Sequence, residues 1–324
     1  MTIWKNNDID KRFNDALSAT STSKPPQIVS FNVTSYVLKN APQPLKGNLP
    51  IQSSMYLPAI SYVFCLICLL FTQFATALEK DEYPGRRLYP GVDFIELENF
   101  HDKLVNDQVI LIDVRSTFEY DTLHISKAKN IPLSSATFVE RVKAIREADA
   151  RPIVTYCNGK TCMKSFKAAR RLLDDHVDNV LVFDSGIMDF ARAYPKLSLL
   201  LGKPLNSASK LISQQKFSQH LINPDKFGNH IAKTNAILLD IRDRVQREDG
   251  ISLFAGREHR VTLDSARLNR YIERAKKNDQ GLLIYDAAGK QVRWLQYRLE
   301  DSGVKNYFFM AGGADAYYHY LESK

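Results

Sequence analysis

Ile153-Val-Thr-Tyr156-Cys157-Asn158-Gly159-Lys160-Thr161-Cys162, running on into Met163 to Leu173, is the stretch whose reading decides the fold. The apolar β-formers end at Tyr156, a short loop opens on Cys157, and apolar residues then recur at Phe166, Ala169, Leu172 and Leu173 in a Lys- and Arg-rich run. That change of period predicts a strand over 153–156 and a helix over 163–174, with Cys157 between them. A helix N-terminus carries unpaired N–H groups and partial positive charge, both of which favour a thiolate. With Lys160 and Lys164 nearby, Cys157 reads as a nucleophile of lowered pKa. The same N–H groups would hold an oxyanion or a sulfur in transfer. Taken alone, Cys157 reads equally well as a small buried hydrophobe, since free cysteine is among the most buried residue types.

Around this loop the chain alternates. Phe94–Val105 predicts a short amphipathic helix, 109–114 a continuous apolar strand, Val139–Glu147 a helix and Asn179–Phe183 another strand before Asp184-Ser185-Gly186. Strands alternating with helices imply an α/β fold in which a parallel sheet is flanked by helices. Sites in such folds lie beyond the carboxyl ends of the strands, where Asp113, Arg115 and Cys157 all fall.

Upstream of the loop stands Leu111-Ile-Asp113-Val-Arg115-Ser-Thr-Phe-Glu119-Tyr120, followed by His124-Ile125, Ala128 and Asn130-Ile131-Pro132-Leu133. In order and spacing these pieces, with the Cys157 loop, resemble the rhodanese (sulfurtransferase) family over about a hundred residues. From a polar linker at Ser198–Ser209 onward the pattern repeats. Ile237-Leu-Leu-Asp240-Ile-Arg242 echoes the first strand, Leu282-Leu-Ile-Tyr285-Asp286-Ala-Ala-Gly289-Lys290 echoes the cysteine loop, and 303–313 echoes 177–186. The resemblance is therefore to tandem rhodaneses: an active domain over 88–200 and a degenerate one over 210–324. Asp286 stands where the second cysteine would be, and a carboxylate carries no sulfane sulfur, so the second domain is expected to be silent.

The resemblance implies that Cys157 attacks the outer sulfur of a donor such as thiosulfate and carries a persulfide to a thiol, a protein sulfur acceptor or cyanide, in two half-reactions. Backbone N–H groups from Asn158, Gly159, Lys160, Thr161 and Cys162 are expected to cradle the persulfide and the donor. Lys160 reads as a donor-anion ligand or a solvated lysine. Asp113 and Arg115 read as the frame of the pocket or as a structural ion pair beside it. Glu119 and His124 match architectural positions of the family. No metal or organic cofactor is called for. The loop departs from the commonest family pattern, because Gly159 follows the cysteine by two rather than three residues and Cys162 replaces a small hydroxyl residue or Arg. Cys162 reads as a resolving thiol for Cys157 or as a buried residue at the helix start. A phosphatase needs an Arg six residues after the cysteine, and Met163 stands there. The other open reading is a non-catalytic or redox-sensing rhodanese-like binding module at a membrane.

The remaining sequence bounds the setting. With 44% hydrophobic and 25% charged residues, the 324-residue chain is that of a globular protein. Its 44 Lys and Arg are spread among 36 acids without a dense basic run, so the net charge of +8 predicts no nucleic-acid face. Of four cysteines, Cys65 and Cys68 lie in an apolar run without metal-ligating companions, and no disulfide framework is indicated. Residues 1–54 read as a flexible polar tail, or as untranslated sequence if the chain begins at Met55. Residues 56–78 carry no charge and are long enough to span a bilayer. Ending in Ala75-Thr76-Ala77, 55–78 predicts a signal peptide or a transmembrane anchor. Either would place the folded part outside the cytoplasm, periplasmic or membrane-anchored; an inverted anchor would keep it inside. A buried helix is disfavoured because the run has no polar face.

Overall fold

The computed structural model describes residues 82–247 and 252–324. The polar tail and the apolar run of residues 56–78 lie outside the described residues. Among the described residues no helix is long and apolar enough to cross a membrane.

The first half runs α1 (Pro84–Leu88), α2 (Leu97–Val105), β1 (Ile110–Asp113), α3 (Thr117–Thr122), β2 (Leu123–Ile125), β3 (Lys129–Asn130), α4 (Phe138–Ala148), β4 (Ile153–Tyr156), α5 (Lys164–Asp174), β5 (Val180–Phe183), α6 (Gly186–Ala193), β6 (Ser198–Leu200) and β7 (Lys203–Pro204). The second half runs α7 (Gln214–Ser218), β8 (Leu221–Ile222), α8 (Pro224–Lys233), β9 (Ile237–Asp240), β10 (Glu258–Arg260), α9 (Ala266–Lys277), β11 (Leu282–Tyr285), α10 (Val292–Ser302), β12 (Tyr307–Met310) and α11 (Gly313–Glu322).

The first sheet is parallel, in the order β3-β1-β4-β5, and Phe94 adds a parallel bridge to Val182 at its edge. The second is also parallel, in the order β10-β9-β11-β12-β8. With the Phe94 bridge in the place of β8, the two sheets share one strand order and direction. Every residue of β1, β4, β9 and β11 is buried, which explains why these strands read as unbroken apolar runs.

Alternation along β1 divides the core. Ile110 and Ile112 pack with Phe138, Val142, Phe166 and Leu172 of α4 and α5, while Leu111 joins Phe118 on the other face. That second face is continuous with Leu239, Ile284, Trp294, Leu295 and Phe309, so one apolar core runs from the first sheet to the second. At this seam the Trp294 ring lies 5.2 Å from the Arg115 guanidinium, and Arg298 lies 4.4 Å above the Phe118 ring.

Three sequence expectations change. The helix expected from Phe94 begins at Leu97, because Phe94 pairs with β5 and the N–H of Ile95 donates to Val182 O (2.9 Å). The stretch read as a linker at Ser198–Ser209 holds β6, which pairs antiparallel with β2, and β7, which pairs antiparallel with β6. Leu201 and Gly202, at φ 48° and 75°, make the tight turn between them, and Ser198 and Leu205 are wholly buried. The first domain, expected from residue 88, has regular structure before it: Pro84–Leu88 folds as α1, with Pro84 in the first helical turn.

Candidate active site

The first sheet delivers Cys157 as the sequence predicts, directly after β4 and ahead of α5. Its side chain packs among Ile112, Ala168 and Phe166 and is 1% exposed. The loop is pinned from α6: Ile187 N–H donates to Cys157 O (3.0 Å) and Met188 N–H to Asn158 O (3.4 Å). This approach is close enough to dictate Gly186. It has φ +66°, and a Cβ there would fall 2.5 Å from Gly159 N and 2.7 Å from Cys157 O.

The Sγ atoms of Cys157 and Cys162 meet as a disulfide, with Cα atoms 6.4 Å apart. Of the two readings left open for Cys162, the structure shows the pairing with Cys157. Cys162 is also partly exposed rather than buried, and sits two residues ahead of α5. Its N–H donates to Gly159 O (2.8 Å) and closes a turn, so this group is spent inside the loop and is no donor to a bound anion. The N–H groups of Asn158, Gly159, Lys160 and Thr161 make no backbone hydrogen bond among the described residues. The Ser165 hydroxyl lies 3.4 Å from Cys157 Sγ, and the Cys162 carbonyl oxygen 3.1 Å from it.

Asp113 and Arg115 do not frame a pocket open to solvent; both are wholly buried beneath the loop. Arg115 donates from Nε to Asp113 Oδ1 (2.9 Å) and from one terminal nitrogen to Asp113 Oδ2 (2.5 Å) and Leu123 O (2.7 Å). Burial alone would lower the guanidinium pKa, but the charge and hydrogen bonds of Asp113 raise it above its ordinary value. The other terminal nitrogen donates to Asn158 Oδ1 (3.2 Å). Asn158 in turn donates from Nδ2 to Glu119 Oε1 (2.8 Å), so its side chain is tied inward and offers the solvent side only its backbone.

Glu119 completes this support. It is held by a capping box with Ser116 at the start of α3, and Lys164 Nζ lies 3.6 Å from its Oε2. Burial pushes its carboxyl up, but Lys164, Arg115 and the hydrogen bonds from Asn158 and Ser116 outweigh that and hold it below the ordinary range. His124 sits nearby with its Nδ1 2.7 Å from Tyr120 O, and burial lowers its pKa.

Lys160 is already paired. Its Nζ meets Glu82 and lies 3.6 Å from Asp189 Oδ2, and hydrogen bonding to Glu82 raises its pKa. Thr161 is exposed at the turn. Sequence reasoning missed the α1 side of the site. Arg86 donates to Asp184 (2.7 and 3.1 Å) and to Glu96 (2.8 Å), and its guanidinium is stacked between the Tyr83 and Phe94 rings. The available signals were Pro84 as a helix start and Asp184 at the carboxyl end of β5.

The second half reproduces the frame with different chemistry. Arg242 donates to Asp240 beneath the loop after β11, and Gly313, at φ +64°, lets Ala314 and Asp315 N–H reach Asp286 O and Ala287 O (2.9 Å each). The Asp286 carboxylate turns into its own loop and accepts N–H bonds from Gly289 and Gln291 (2.5 Å each) and Val292 (3.2 Å). Burial raises its pKa against these three bonds, which lower it. The Asp286 carboxylate thus occupies the N–H cradle of its own loop.

Comparison with known proteins assigns a family within the first half. The rhodanese-like domain family matches residues 96–193. A tRNA uridine(34) hydroxylase of Photorhabdus laumondii is 28% identical over 104 residues, which are 31% of this chain and 28% of the relative. The enzyme of that name from Salmonella newport gives 28% identity over 104 residues and 29% of its length. The matched stretch is thus under a third of these curated relatives. Among solved structures, a protein of Bacillus halodurans is 18% identical, covering 50% of this chain and 98% of its own, with a TM-score of 0.30. The thiosulfate sulfurtransferase of Pseudomonas aeruginosa is 13% identical, covering 71% and 66%, with a TM-score of 0.25. Residues 96–193 of this chain, with the Cys157 loop inside them, form a rhodanese-like domain.

Proposed function

We propose that this chain is a tandem rhodanese-like sulfurtransferase that moves sulfane sulfur through a persulfide on Cys157, with its second half catalytically silent. The observation that carries the reading is the matching loop of the second half, where three backbone N–H groups hold a carboxylate. The same strand–loop–helix frame around Cys157 would hold the transferring sulfur. A small anionic donor such as thiosulfate gives its outer sulfur to the Cys157 thiolate and leaves as sulfite; a thiol, a protein sulfur acceptor or cyanide then takes the sulfur. Asn158, Gly159, Lys160 and Thr161 supply backbone N–H groups to that sulfur and to the donor. Asp113, Arg115 and Glu119 act only by holding the loop. No cofactor enters, and no nucleic-acid partner is proposed, because the basic residues form no dense run. The chain would be exported or anchored through residues 56–78, with its folded part outside the cytoplasm.

The test is intact mass of the reduced, desalted protein before and after incubation with thiosulfate and with other sulfane donors. Release of sulfite on incubation, with an adduct of one sulfur atom on a Cys162→Ser background, is expected, and both vanish with Cys157→Ser. If no donor releases an equivalent of its partner anion or leaves sulfur on the protein, the reading fails. The Cys157–Cys162 disulfide favours one alternative, a redox-sensing module, which takes up no sulfur yet cycles between dithiol and disulfide.

A further inference from the structure

We propose that Cys162 is the intramolecular acceptor of the Cys157 persulfide, so that the sulfane sulfur leaves as hydrosulfide and the protein is left with the Cys157–Cys162 disulfide. This rests on the sulfurtransferase reading and names its second catalytic residue and its reductant class, a dithiol. The two sulfurs meet in the structure, and a Cα separation of 6.4 Å lies within the span a disulfide bridges. The turn closed by the Cys162 N–H on Gly159 O brings residue 162 back over residue 157. Cys157 is 1% exposed under this turn, while Cys162 is partly exposed, so an incoming reductant reaches Cys162 first. The loop of the second half carries Asp286 and Gln291 at the spacing of Cys157 and Cys162, so neither cysteine is present there.

The chemistry balances in three steps. Cys157 thiolate attacks the outer sulfur of thiosulfate, the S–S bond of the donor breaks, and sulfite leaves with its electron pair. Cys162 then attacks Cys157 Sγ; the bond between Sγ and the outer sulfur breaks, and that sulfur takes the Cys162 proton and leaves as hydrosulfide. The sulfane sulfur is reduced and the two cysteines are oxidised to the disulfide. A dithiol reduces that disulfide by exchange through a mixed disulfide and is itself oxidised to its cyclic disulfide. Hydrosulfide is a weaker base than a cysteine thiolate and so departs in preference to Cys157, because a leaving sulfur of lower pKa leaves faster. The attacking thiol is held at the reacting atom, so no external thiol has to be encountered before sulfide appears.

The test is a single turnover of the full chain, reduced, freed of reductant under anaerobic conditions and mixed with thiosulfate without any acceptor. Sulfite, hydrosulfide and intact mass are read in parallel. Wild type is expected to release one sulfite and one hydrosulfide per chain and to end two hydrogens lighter. Cys162→Ser and Cys162→Ala are expected to release sulfite alone and to end heavier by one sulfur atom. With a dithiol reductant supplied, both variants should release hydrosulfide at least about tenfold more slowly than wild type. Wild type that keeps the sulfur adduct, yielding hydrosulfide only after an external thiol is added, overturns the role of Cys162. Cys162 variants that release no sulfite from thiosulfate and gain no sulfur from any other sulfane donor instead overturn the sulfurtransferase reading beneath it.

Discussion

Replacing Gly186 by Ala tests whether the loop that carries Cys157 is set by contact with α6. Two costs combine at this position. The left-handed conformation at φ +66° costs a residue with a Cβ about 1–2 kcal/mol. The new Cβ would also stand 2.5 Å from Gly159 N and 2.7 Å from both Cys157 O and Gly159 Cα, all backbone atoms that have no rotamer to escape into. Overpacking of this kind adds about 1–3 kcal/mol, so the total is about 2–5 kcal/mol. Gly202 separates the two effects, since it has φ +75° with nothing within 4 Å of its Cβ position. Gly202→Ala should cost about 1 kcal/mol, the conformational share alone. Gly313 is the counterpart in the second half, with φ +64° and a Cβ position 2.6 Å from Asp286 O and Ala287 O. Gly313→Ala should match Gly186→Ala in urea denaturation yet leave sulfite release from thiosulfate unchanged. Gly186→Ala should slow that release about tenfold by displacing Cys157 a fraction of an ångström. If Gly186→Ala costs no more than Gly202→Ala, or if Gly313→Ala slows sulfite release equally, the reasoning is refuted.

Further outcomes follow from the geometry. Glu119 is held below its ordinary value of 4.5, so it contributes stability that is present above that pH and is lost as pH falls through the folded value; Glu119→Gln should flatten the fall in urea midpoint between about pH 6 and about pH 3. Asp286→Ala leaves the N–H groups of Gly289, Gln291 and Val292 without their acceptor and should cost about 1–3 kcal/mol in denaturation, with sulfite release unchanged. Lys160 is engaged by Glu82 and Asp189, so Lys160→Ala should raise the KM for thiosulfate by less than about tenfold and spare kcat, as steady-state assays will show. Trp294→Ala empties a buried site at the seam between the halves and should cost about 3–5 kcal/mol, read by thermal or urea unfolding.

Much of the frame was legible because its strands are short, apolar and buried on both faces. Ile153–Tyr156 can hardly be anything but an inner strand, and the positions of Cys157 and Asp286 follow from it. Phe94 misled because an amphipathic period continues back through it, while its backbone pairs with Val182 from outside the local sequence. The β6–β7 hairpin was hidden for the same reason, since Gly, Pro and Ser read as linker until β2 offers an edge to pair with. For Asp113 and Arg115 the sequence leaves two readings, the frame of a pocket or a structural ion pair beside it, and the buried ion pair is what the structure holds. Only tertiary structure shows them wholly buried, holding Asn158 and Leu123 O. The Cys157–Cys162 contact depends on a turn closed by one backbone hydrogen bond, which spacing leaves undetermined.

Under the proposed tandem reading, the Asp286 loop gives the second half a use of its own. A cradle of N–H groups that waits for substrate is under-satisfied between turnovers, and its order depends on what solvent or substrate supplies. Asp286 gives the second cradle a permanent tenant covalently attached to its own strand. That cradle is therefore closed by its own chain, and through Trp294 and Arg298 the second half packs against the half that carries the Cys157 loop. With its N–H cup filled from within, the second half stands as a fixed abutment for the first.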